Sequence, residues 1–146
     1  MRSEALLSLL FILALSDRAD CQNQYDRFKR RHILPNKFNT RNMNPWVNHL
    51  MNNNLCGQTM SSFVPSNQEN NIIEICRGAG IRQQGNLFIS IRHFPVYIVT
   101  SHREQQMCVI NECTVGDYIV IVACDGDLPA HYHGQEDEIG QIVHCY

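Results

Sequence analysis

The sequence predicts an α+β fold in which helices come first and an antiparallel sheet follows. Up to about residue 80 the apolar residues recur at helical spacing. From Leu87 onward they gather into short β-branched and aromatic runs, the signature of strands that follow helices instead of alternating with them. The third observation is covalent. Seven cysteines in 146 residues, none at CxxC spacing, read as a disulfide framework and not as a zinc module.

Residues 1–21 read as a secretory signal. Arg2 precedes an apolar run from Ala5 to Leu15 that is too short to cross a bilayer. Small-residue cleavage patterns follow at Ala14-x-Ser16 and Ala19-x-Cys21. The expectation is a secreted, extracellular single domain over 22–146 with no membrane span. A cut after Cys21 leaves an even set of six cysteines, and a cut after Ser16 leaves an odd seventh. Six cysteines admit about 15 pairings by counting alone.

Gln22 to Ile33 is predicted as a helix, with Tyr25, Phe28 and His32 on one face and Pro35 ending it. The polar run Asn36–Asn44 is a loop. Pro45 suits a first helical turn, Trp46, Val47, Leu50 and Met51 continue the helix, and Asn52-Asn53-Asn54 stops it. Phe63-Val64 is a short strand. Ser66 with Glu69 fits a capping box that opens a helix through Ile72, Ile73 and Ile75 to Cys76, ended by Gly78 and Gly80. Strands are then expected over Leu87–Ile91, Val96–Thr100, Met107–Ile110 and Tyr118–Ala123.

Charge excludes some classes of function. Ten basic and eleven acidic residues follow position 21, so nothing global draws the chain to nucleic acid or anionic membrane. A membrane-disrupting peptide would need a strongly cationic surface. The basic charge is local: Arg27, Lys29, Arg30 and Arg31 lie within five positions, as a solvated helix face or as phosphate contacts.

The most informative stretch is DYIVIVACDGDLPAHYHG, over residues 117–134. Ile119 to Ala123 form a buried strand, Asp125-Gly126-Asp127 a turn, and Leu128 to His133 a returning edge strand with His131 and His133 on one face and Tyr132 on the other. His131-x-His133 lacks a third metal ligand, so no metal or other cofactor is implied. Together with the helical histidine of Phe28-Lys29-Arg30-Arg31-His32 about 100 residues upstream, this end resembles the pancreatic-type (ribonuclease A) superfamily, including its angiogenin-like members. The resemblance spans residues 22–134. It implies three helices packed on a long, bent antiparallel sheet, stapled by disulfides.

In that family two histidines and a lysine cleave RNA by transphosphorylation, and imidazoles suit the task because their pKa lies near the working pH. The match makes His32 the base and His131 the acid. Tyr132 stands beside the base pocket, Ser62 stands for the hydroxyl residue that reads pyrimidine edges, and Asp125 matches the acid after the last core cysteine. The implied partner is single-stranded RNA or tRNA, and the implied protein a monomer. There are departures. The lysine position holds Gly57 or Gln58, depending on the side from which it is aligned, and neutral Gln58 is the candidate phosphate contact. Losing one preorganised electrostatic donor costs about 10²–10³ in rate. Arg31 replaces a glutamine, and His133 replaces the aspartate that orients the second histidine. The expected activity is therefore a weak endoribonuclease. The alternative is a secreted binding, signalling or host-defence protein, acting on a cell-surface receptor, that has lost turnover.

The resemblance also implies bridges Cys56–Cys108 and Cys76–Cys124. The family's remaining core bridge is absent at both ends, where Met43 and Ser101 stand. Cys113 and Cys145 are then left to pair, tying an extension from about residue 134 back onto the sheet.

Overall fold

The computed structural model describes residues 19–146; of the expected signal segment 1–21, all but the last three residues lie outside the described part. The elements run α1 (19–32), α2 (Met43–Asn52), β1 (Ser61–Phe63), α3 (Glu69–Glu74), β2 (Gly80–Arg82), β3 (Leu87–Glu104), β4 (Met107–Asp125) and β5 (Leu128–His144). The sheet is antiparallel throughout, in the order β1-β3-β4-β5, with β2 also paired to β3. Three helices on one long antiparallel sheet is the expected α+β architecture.

α1 buries Tyr25 and Phe28, the face its spacing marks out. Its end is fixed by main-chain bonds to Val64, the residue that follows β1, in an isolated parallel bridge. The Val64 N–H donates to the His32 carbonyl at 2.8 Å and the Leu34 N–H donates to the Val64 carbonyl at 2.9 Å. α2 buries Trp46 and Leu50 completely, and the Trp46 indole N–H donates to the Thr40 carbonyl at 2.9 Å. Asn53 and Asn54 close it, Asn54 with φ of 56°.

The capping box does not form. Ser66–Gln68 is a 3-10 turn, neither it nor α3 has a side-chain cap, and α3 stops at Glu74 before a π turn over Ile75–Ala79 that carries Cys76. The Glu69 carboxylate is drawn away by stronger partners on α1: it accepts from the Tyr25 hydroxyl and pairs with Lys29 Nζ at 3.0 Å. A charged partner outcompetes a neutral main-chain N–H.

The four expected strands are pieces of two long ones. β3 absorbs Leu87–Ile91 and Val96–Thr100 across a bulge between Ile89 and His93. There Ser90 Oγ accepts from the Val120 N–H at 2.9 Å and donates to the Arg92 carbonyl at 2.7 Å, satisfying groups the bulge would orphan. Pro95 falls between the part of β3 paired to β2 and the part paired to β1, where its missing N–H breaks no second ladder. β4 likewise runs unbroken from Met107 to Asp125. β5 is the outer strand, as expected for the histidine segment, but it continues through the extension as far as His144, opposite Thr114.

The apolar interior divides in two. One core joins Tyr25, Phe28, Ile72, Phe94, Val120 and Val122 beneath α1 and α3. The other joins Trp46, Leu50, Leu55, Phe63 and Val99 beneath α2. Phe63 and Val64, adjacent at the end of β1, belong to different cores, so this segment is the seam between them. The bridges are Cys56–Cys108, Cys76–Cys124 and Cys113–Cys145. At the position of the absent bridge, Ser101 is buried and its hydroxyl accepts from the Gly57 N–H at 3.0 Å, while Met43 is exposed. The polar tie thus runs from Ser101 to the residue after Cys56, and not to α2, to which the resemblance has the covalent one.

Candidate active site

The seam delivers His32. As the last residue of α1 it is held by its own carbonyl to Val64, just past β1, and its ring turns back to β1 itself: Nδ1–H donates to the Ser62 carbonyl at 2.9 Å. A carbonyl only accepts, so the proton is on Nδ1 and Nε2 carries a lone pair. The ring is half-buried between aromatics, stacked on Tyr132 at 4.8 Å and 21° and tilted against Phe28 at 5.3 Å. Burial pushes its pKa down to about 4; the bond to Ser62 opposes this, and the charges of Arg31 and His131 lower it further. At neutral pH His32 is an uncharged acceptor, the state a general base needs.

β5 supplies the opposite wall. His131, opposite Ala123, is exposed, and with Ala130 and Tyr132 it lines a groove of about 220 Å³ whose other wall is Arg27, Phe28, Arg31 and His32. That lining contains no carboxylate. Among the described residues no hydrogen bond or ion pair holds the His131 ring. His133, which stands in the place of an orienting aspartate, is the extra residue of a bulge between the pairs Val122–Tyr132 and Ile121–Gly134.

Tyr132 is clamped from its polar end, where the hydroxyl donates to Gln135 Oε1 at 2.7 Å; burial raises its phenol and the nearby Ser62 hydroxyl pulls the other way. Ser62 is itself buried. It serves His32 through its carbonyl, a role with no side-chain signature and therefore none in the sequence. Its hydroxyl faces Tyr132.

Two other expected residues lie outside the groove. Gln58 lines an adjoining depression with Arg27, Arg30, Arg31 and Asn52–Asn54, so Arg27 and Arg31 form the ridge between the two hollows. Asp125 closes the β4–β5 hairpin opposite Leu128. The structure thus gathers His32, His131, Tyr132 and Ser62, sets Gln58 next door and leaves Asp125 apart. No group of three or more His, Cys, Asp or Glu among the described residues is placed to hold a metal ion.

No family model matches the chain, and no curated protein matches it in sequence. Solved structures do. Green turtle egg white ribonuclease superposes with a TM-score of 0.64 at 23% identity, covering 77% of this chain and 98% of its own. SS-RNase-2 (des116-120) gives 0.64 at 25% identity over 78% and 99%. Zebrafish RNase5 gives 0.64 at 20% over 80% and 98%. With the three bridges, these likenesses give the chain the ribonuclease A fold.

Proposed function

We propose, on the premise of a ribonuclease A fold, that this is a secreted, monomeric member of that superfamily which binds single-stranded RNA or tRNA and cleaves it weakly on the 3′ side of pyrimidines. The observation that carries the reading is the tautomer of His32. Its Nδ1 proton is committed to the Ser62 carbonyl, leaving Nε2 bare in a groove shared with His131.

In this mechanism His32 Nε2 takes the proton of a ribose 2′-hydroxyl and the 2′-oxygen attacks the adjacent phosphorus. His131, protonated, gives its proton to the departing 5′-oxygen. The products are a 2′,3′-cyclic phosphate and a free 5′-hydroxyl, with the proton inventory conserved. Tyr132 keeps the base in orientation by stacking. Turnover is weak because no lysine lines the groove and no carboxylate fixes His131. The same two features favour the second reading, a binding or host-defence protein on this scaffold that has lost turnover.

The test is cleavage of a pyrimidine-rich oligonucleotide by the full secreted chain beside His32→Ala and His131→Ala. Each substitution is expected to lower the rate by about 10²–10⁴-fold. Cleavage that survives both substitutions defeats the assignment, and no histidine-dependent cleavage at all selects the second reading.

A further inference from the structure

The histidine groove is electrically one-sided. Among the described residues its lining holds two guanidinium groups, Arg27 and Arg31, four residues apart on the same face of α1, besides the two histidines, and no acid. Arg31 is the more confined of the two: it is half-buried where Arg27 is exposed. Lys29 on the same helix pairs with Glu69, but among the described residues no carboxylate lies within ion-pair reach of Arg27, Arg30 or Arg31, and of these three only Arg31 is half-buried. A partly buried guanidinium without a counter-ion, next to the base, is short of one anion. Its planar fork fits a phosphodiester through two parallel hydrogen bonds. Gln58, one of the two positions that align with the absent lysine, shares with Arg31 the hollow on the far side of the ridge, so position 58 is not where this groove's charge comes from.

We infer that Arg31 takes the lysine's place as the cation that binds the reacting phosphate and stabilises the negative charge gathering on it. The inference rests on the ribonuclease reading above. It brings a second effect, because the charges facing the His32 ring are few: Arg27 and Arg31 from α1, His131 and the Tyr132 phenol from β5, and only the Ser62 carbonyl and hydroxyl from β1. Arg31 is among the groups that hold His32 neutral. Unlike a lysine it keeps its charge at every pH the fold survives. The same residue that anchors the phosphate thus adds to the burial that chiefly keeps the base unprotonated.

Two measurements on the full chain separate this from its premise. Inorganic phosphate is titrated into the wild type, Arg31→Gln, Arg31→Lys and, as a distant charge control, Arg41→Gln, with the imidazole proton signals of His32 and His131 followed by NMR. The wild type is expected to show both signals moving, Arg31→Gln to bind about tenfold more weakly or worse, Arg31→Lys to recover most of the loss and Arg41→Gln to change nothing. Phosphate that moves neither imidazole, or that binds Arg31→Gln within about twofold of the wild type, overturns the inference. In cleavage of uridylyl-adenosine, Arg31→Gln is expected to lower kcat by about 10²-fold with a smaller change in KM, and to move the acidic limb of kcat/KM upward. Histidine-dependent cleavage that is untouched by Arg31→Gln leaves the ribonuclease standing and removes Arg31. Arg31-dependent phosphate binding in a protein that cleaves nothing leaves the anion site standing and removes the ribonuclease.

Discussion

Burial holds the His32 imidazole near pH 4, far below the ordinary histidine value. The unfolded chain therefore binds more protons than the folded one between about pH 4 and 6.5, and stability rises with pH across that window. This contribution is fully present above about pH 6.5 and is lost as pH falls toward 4. His49, on the buried face of α2, has its pKa lowered by the same cause and adds in the same direction. An NMR titration should give His32 a midpoint near 4, and His32→Gln should flatten part of the fall in Tm with acid. A midpoint at the ordinary histidine value would contradict the buried, Ser62-bonded ring. At this scale the histidines are legible in the sequence because their chemistry belongs to their side chains. The Ser62 carbonyl is not, since every residue has one, and only the pairing of α1 with β1 selects it.

At the scale of elements, Glu69 shows what periodicity misses. Ser66 and Glu69 carry the pattern of a cap, yet tertiary partners on α1 take the carboxylate. Glu69→Gln should cost about 1–3 kcal/mol by loosening the α1–α3 contact, measured by denaturant unfolding; a loss no greater than that of an exposed Glu74→Gln would count against the contact. Ser90 at the β3 bulge is a second case. Ser90→Ala leaves the Val120 N–H buried without its partner and should cost about 1–3 kcal/mol by the same measurement. The strands are legible in place but not in length. Ile91-Arg92-His93 and Asn111-Glu112 interrupt the apolar alternation, and cross-strand pairing carries the chain through them regardless.

For the whole molecule, class and element order follow from the sequence, because helical and strand periods segregate along it. The two-part interior does not, since nothing in a linear pattern says that Phe63 and Val64 face different cores. Trp46 anchors the smaller core at zero exposure, and Trp46→Ala should cost about 3–5 kcal/mol in unfolding experiments. The Cys113–Cys145 bridge has a topological consequence. It closes β5 and the second half of β4 into a covalent ring over a sequence separation of 32. A terminal strand is ordinarily the piece that two copies of a protein can trade. Here a traded β5 has to carry its cysteine with it and remake the link in the other chain. Any dimer formed by strand exchange is therefore expected to be covalent, running as a double-mass species in denaturing gels without reductant and collapsing to a monomer when thiol is added.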